Sequence, residues 1–317
     1  MIIDLTDTNA SEIAAALVQA RRNAGSPAMG MVLTLIVVAD ETTHYDALRA
    51  AMLAAKEHPS RIIGVIPRDG NGKSRLDAEV RVGGEGGPGE SLLLRLYGEL
   101  SQHPESVVMP LLLSESPVVT WWPGSAPPVP SRDPLGQLAR RRVTDAATAA
   151  DPIATLTRHC SAYAPGDTDL AWTRTTPWRA LLAAALDRHE AKVTGATIEA
   201  QAGNPSALLM GTWLERQLHI TVTYGVSEGP GITAARLHTE KGDIAVTRAD
   251  GRLAHYALPD QPPRRVALKR RDTSELLAEE LRRLDPDDVY GLVVEELVRK
   301  QVHSHGHKPH PTEGGDR

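Results

Sequence analysis

From Met29 to Ala39 the chain carries an almost unbroken apolar run, closed by Asp40 and Glu41. The run is too short to cross a bilayer, which takes about 20 residues. Its continuous apolar character predicts a β-strand buried on both faces. Arg21 and Arg22 precede it, as basic residues precede the core of an export signal, but roughly twenty residues of helix-like sequence come first and no small-residue cleavage pattern follows. The expectation is a cytoplasmic protein with no membrane association. Thr43 to His58 then reads as a helix, with Tyr45, Leu48, Met52 and Ala55 on one face, and Arg61 to Ile66 as a second strand. Strand, helix and strand in this order make a βαβ unit with parallel strands.

The rest of the first half extends this pattern. Asp7 to Arg22 reads as a helix through Ile13, Leu17 and Ala20, stopped by Gly25, Ser26 and Pro27. Leu76 to Val82 alternates as a strand. A glycine-rich loop follows, then a helix from Glu90 to Leu100, a further helical stretch from Glu105 to Leu113, and a β-like run at Val118 to Trp122. Pro123 to Pro134 holds five prolines and marks the end of the unit.

Past the prolines, helix starts of one kind recur. Asp151-Pro152, Thr176-Pro177, Asn204-Pro205 and Asp285-Pro286 each place a capping side chain before a proline, which has no N–H to leave unpaired. They predict helices over 152–162, 177–187, 205–218 and 286–300. Asp272 and Glu275 have capping-box spacing and open another, over 272–284. Strands are expected over 193–200, 219–224, 232–238, 243–247, 253–258 and 266–268, with turns at Lys241-Gly242 and Asp250-Gly251. The predicted class is α/β: an N-terminal βαβ-type, mostly parallel sheet domain (residues 1–125), a bridging segment (126–150), and an α+β domain with an antiparallel meander (151–302). The polar, histidine-bearing residues 303–317 read as a disordered tail.

Composition narrows the function. The chain has no Phe, so its cores are aliphatic with tryptophan and tyrosine supplying the bulk. A net charge of −5 without a basic stripe points away from nucleic acid. Cys160 is the only cysteine, which excludes an internal disulfide and a cysteine zinc cluster. Gly70-Asn71-Gly72-Lys73-Ser74 resembles the end of a phosphate-binding P-loop, but Pro67 stands where its first glycine belongs, and a turn between strands is the better reading. Gly84 to Gly89 fits G-x-G-x-x-G, yet Glu85 and Glu90 would repel a pyrophosphate. His303, His305, His307 and His310 lack a folded frame for a metal, and neither a metal nor a cofactor is expected.

Two clusters stand out. His58, Ser60 and Arg61 sit where helix meets strand, with His58 and Arg61 expected near the surface and all three candidates to meet an anion. Asp169 to Arg179 gathers Asp169, Trp172, Arg174, Trp178 and Arg179 at a helix start. One reading makes this stretch a corner, with the tryptophans as core plugs and Asp169 pairing Arg174 or Arg179. The other makes it a recognition surface, because Trp and Arg dominate interface hot spots.

Together with Pro117 to Pro123, which contains Trp121 and Trp122, these clusters resemble, in order and spacing, the hallmark segments of the glucose-6-phosphate dehydrogenase assembly proteins. The resemblance runs from about Leu33 to Leu297. It implies a non-catalytic factor that binds glucose-6-phosphate dehydrogenase, favours its active oligomer and so supports NADPH supply through the pentose phosphate route. On that basis Trp121, Trp122, Asp169, Trp172, Arg174, Trp178 and Arg179 are expected to contribute to partner binding. A competing reading makes the chain a sugar-phosphate sensor or enzyme, with Arg61, Arg174 and Arg179 gripping phosphate.

Overall fold

The computed structural model describes residues 1–24, 30–68, 70–83, 89–187, 192–248 and 250–306. Its elements run β1 (Ile2–Leu5), α1 (Ala10–Ala24), β2 (Leu33–Val38), α2 (His44–Ala54), β3 (Ser60–Pro67), β4 (Arg75–Val82) and β5 (Glu90–Tyr97). They continue with α3 (Pro104–Val108), β6 (Val118–Trp121), α4 (Pro134–Gln137), β7 (Arg141–Thr144), α5 (Pro152–Ser161), β8 (Asp167–Asp169), α6 (Leu170–Thr173), α7 (Thr176–Leu186) and β9 (Val193–Ala200). The last are α8 (Pro205–Leu218), β10 (Val222–Val226), β11 (Ile232–Thr239), β12 (Gly242–Thr247), β13 (Leu253–Ala257), β14 (Arg264–Ala267), α9 (Thr273–Arg282) and α10 (Asp288–Gly306).

Eight strands form the first sheet in the order β1-β4-β5-β3-β2-β6-β7-β8. From β5 to β8 every neighbour is parallel, while β4 is antiparallel to both β1 and β5. The central strand β2 is buried on both faces, as its apolar run requires. Ile36 faces a core shared with α1, while Leu33, Leu35 and Val37 face a core shared with α2 and α9. Period-two alternation thus feeds two helical layers from one strand.

The second sheet runs β10-β9-β11-β12-β13-β14, antiparallel apart from the β10–β9 pair. Its inner face packs on α7 and α8 through Trp178, Leu182, Met210 and Leu214. A fourth core joins α5, α6, α8 and α10 around Trp172 and Tyr290. Asp151 and Asn204 cap α5 and α8 as their sequence predicts, accepting from Ala154 N and Ala207 N at 3.0 Å each. Asp285 does not cap its helix. It pairs with Arg140, and Asp287 accepts from Tyr290 N instead.

Three expectations change. Residues 90–97 form a strand, not the first part of a helix. A leucine run fits either state, and pairing with β3 and β4 on both sides decides it, with Leu92, Leu94 and Leu96 facing the α1 core. Second, the first sheet does not stop near residue 125. Within the bridging segment, Arg141–Thr144 is a fully buried strand, and β8 extends the sheet to Asp169. The polar sequence of β7 hid this, but each arginine has internal acceptors: Arg141 meets Glu280 and the carbonyl of Asp285, and Arg142 meets Asp167 and the carbonyls of Ala139 and Pro165. Third, α10 continues through Gly306, so the expected tail begins inside a helix. The remaining tail residues lie outside the described residues, as do Met29 and residues 84–88 of the glycine-rich loop. Gly70 to Ser74 lies between β3 and β4. Among the described residues, no helix is long and apolar enough to cross a membrane.

Candidate functional site

The Asp169–Arg179 segment is the seam of the molecule. Asp169 ends β8, is fully buried, and accepts from Ala171 N (2.8 Å), Ala146 N (2.9 Å) and Thr144 Oγ1 (2.7 Å). One carboxylate therefore starts α6, holds the turn after β7 and ties the last two strands together. Burial and the charge of Asp145 raise its carboxyl to about 6, against the pull of those hydrogen bonds. The expected pairing of Asp169 with Arg174 or Arg179 does not occur. Arg174 instead forks onto Asp145, with both N–O distances 2.7 Å. Arg179 donates to Thr175 Oγ1 (3.0 Å) and Thr176 Oγ1 (3.2 Å) and stacks 3.6 Å above the Trp172 ring. Burial lowers its pKa to about 10.

The tryptophans divide between the cores. Trp172 packs in the α5–α6–α8–α10 core, and its Nε1 donates to Asp287 Oδ2 at 2.9 Å. Trp178 packs under the second sheet, and Trp121 lies between the first sheet and α9. Trp122 is likewise sealed, its backbone N–H donating to Val143 O. All four are at most 2% exposed. This burial removes them, and Asp169, from direct contact with any partner in this conformation. The segment also clamps α9: Thr173 donates to Glu280, Thr176 to Glu279, and Arg271 reaches both Glu279 and the Thr173 carbonyl.

The His58 cluster is also internal. Arg61 is buried, with its Nε 3.1 Å from Glu90 Oε2 and its Nη1 donating to Leu111 O. Glu90 receives Arg21 as well. Ser60 is buried and donates to the His58 carbonyl, while His58 is half-buried. The strand register that places Arg61 opposite Glu90 consumes the charge expected to meet an anion. Arg61 and Arg174 thus belong to different ion pairs, which breaks up the three-arginine phosphate grip.

Beside the seam opens a cleft of about 370 Å³ that the sequence motifs did not mark. The turn after β7 contributes Asp145, Ala147 and Thr148. The corner contributes Arg174, Pro177 and Trp178. The rest of the lining comes from the loop from Gln201 to the start of α8, Gly231 and Ile232, Arg248, and the Lys269–Arg271 segment leading to α9. Asp145 immediately follows β7, so one wall of the cleft stands at the carboxyl end of a parallel strand, where open α/β sheets hold ligands. Among the described residues, five cationic residues line it against one carboxylate. Arg174, Lys269 and Arg271 have carboxylate partners in Asp145, Glu275 and Glu279. Arg248 is 6% exposed; among the described residues it donates to the carbonyls of Leu268 and Ile232, and its buried Nε finds no acceptor there. The signal for this cleft was available only as isolated arginines in strand and loop positions, which periodicity does not bring together.

Fold and seam define a two-domain α/β protein whose halves share a buried polar corner. Residues 51–161 match the N-terminal domain of the glucose-6-phosphate dehydrogenase subunit, and residues 165–294 match the C-terminal domain of the same subunit. The chain belongs to the glucose-6-phosphate dehydrogenase assembly protein family. No curated protein matches it. Among solved structures, a crystal structure of an oxidoreductase from Sinorhizobium meliloti is 11% identical, with 86% of this chain and 89% of that one covered, at a TM-score of 0.43. A structure of trehalose-6-phosphate from E. coli bound with UDP-2-fluoro glucose is 10% identical, with 62% and 65% covered, at a TM-score of 0.24.

Proposed function

We propose that this chain is a cytoplasmic, non-catalytic partner of glucose-6-phosphate dehydrogenase that favours the enzyme's active oligomer and thereby supports NADPH supply. The observation that carries the reading is the match of both halves, in order, to the two domains of that family. A factor of this kind shifts its partner's equilibrium by the difference in its affinity for the two states. Binding also loses less to ordering when the factor is itself one pre-organised body. The corner supports that requirement, because Asp169, Arg174 and Glu280 each tie segments of both halves. In this reading the hallmark tryptophans and arginines act by holding the body, and contact falls to exposed side chains such as Tyr45, Met109 and Val226.

The test mixes purified chain with the dehydrogenase of the same cell and follows activity together with complex mass by light scattering. The expected result is a larger complex and a rise in dehydrogenase activity that saturates with added chain. Unchanged mass and activity would overturn the reading.

A further inference from the structure

We propose that the seam cleft is a binding site for a small phosphomonoester, held by Arg248 and Arg270. Buried charges in proteins are as a rule paired, and the cations of this cleft divide sharply on that point. Three spend their charge on Asp145, Glu275 and Glu279. Arg248 and Arg270 have no carboxylate within ion-pair distance among the described residues. Arg248 is held in place by two backbone carbonyls and by the Trp178 face, 5.0 Å from its guanidinium carbon. That arrangement orients the group without neutralising it.

The two unpaired guanidinium groups also act on each other. Burial and the charge of Arg270 both disfavour the Arg248 cation. Asp250 attracts it, but the Asp250 carboxylate is engaged by the N–H groups of Arg252 and Leu253 in the β12–β13 turn. Two like charges set together at a concave surface are costly unless an anion joins them, and a guanidinium fork matches phosphate oxygens in geometry. The volume, about 370 Å³, falls within the range of small-molecule sites. A small ester fits it better than a folded partner's phosphorylated loop. This site does not depend on the dehydrogenase, so it stands or falls separately from the proposed function.

Titration calorimetry on the full chain alone tests it, with inorganic phosphate, glycerol phosphate and glycerol as probes. The expected result is binding of both phosphates and none of glycerol. Arg270→Ala, at an exposed side chain, should weaken phosphate binding about tenfold while leaving the unliganded melting temperature no lower than wild type, since it removes a like charge beside Arg248. Arg248→Lys, which keeps the charge but loses the fork, should weaken it as well. Absence of phosphate binding to the wild-type chain would overturn the proposal. Wild-type affinity in Arg270→Ala would overturn it equally, because the phosphate would then be held elsewhere.

Discussion

Arg174 grips Asp145 with two parallel hydrogen bonds of 2.7 Å, joining the end of the first sheet to the corner that leads into the second domain. Asp145 is 2% exposed at its side chain and Arg174 is 25% exposed. Removing the guanidinium leaves a sealed carboxylate without its cation. Arg174→Ala should therefore lower unfolding free energy by about 2–4 kcal/mol, somewhat below the ~3–5 kcal/mol of a wholly buried pair. Arg49→Ala breaks a pair whose side chains are 72% and 85% exposed, and should change stability by less than about 0.5 kcal/mol. Chemical denaturation of both variants checks the contrast. Loss of dehydrogenase activation in Arg174→Ala should track the unfolded fraction, since the residue holds the body together.

Trp172 separates packing from hydrogen bonding. Trp172→Ala empties a site at the centre of the α5–α6–α8–α10 core and should cost about 3–5 kcal/mol. Trp172→Phe keeps an aromatic ring but leaves Asp287 without the indole N–H, and should cost about 1–3 kcal/mol. Urea denaturation of both variants, with unchanged m-values, reads the two terms.

Asp169 sets a pH dependence. Its carboxyl titrates at about 6 in the fold, against about 3.9 in an unfolded chain. The folded state therefore holds the proton more tightly in that window, and the group's contribution to stability falls as pH rises from about 4 through 6. The unfolding free energy of wild type minus that of Asp169→Asn should decline across this range and level off above it. A flat or rising difference would contradict the burial argument.

Cys160 should be chemically silent in the native protein. Burial raises its thiol to about 12, so almost no thiolate exists near neutral pH. A thiol-reactive dye should label the native chain negligibly and label one site per chain once the chain is denatured.

The large elements were legible because their signals are local. The short apolar run around Leu35, rich in β-branched residues and closed by Asp40 and Glu41, favours a doubly buried strand, and Asp151-Pro152 and Asn204-Pro205 announce helix starts in two residues each. What the sequence hid depends on distant partners. β7 looks polar until Glu280, 139 residues away, supplies the acceptor for Arg141. The tryptophan–arginine segment was legible as a feature, but its composition suits a hot spot and a buried seam equally. Only the positions of Asp145 and Asp287 separate the two. The cleft draws Arg174, Arg248 and Arg270 from three separate segments, and no spacing rule links them.

Hydroxyl-radical footprinting of the chain, free and mixed with the dehydrogenase, bears most directly on whether the corner holds the body together or touches the partner. The account predicts that Trp121, Trp122, Trp172 and Trp178 resist oxidation in both samples, with new protection confined to exposed side chains. Tryptophans that oxidise readily in the free chain and become shielded in the complex would show that the corner is itself the contact surface.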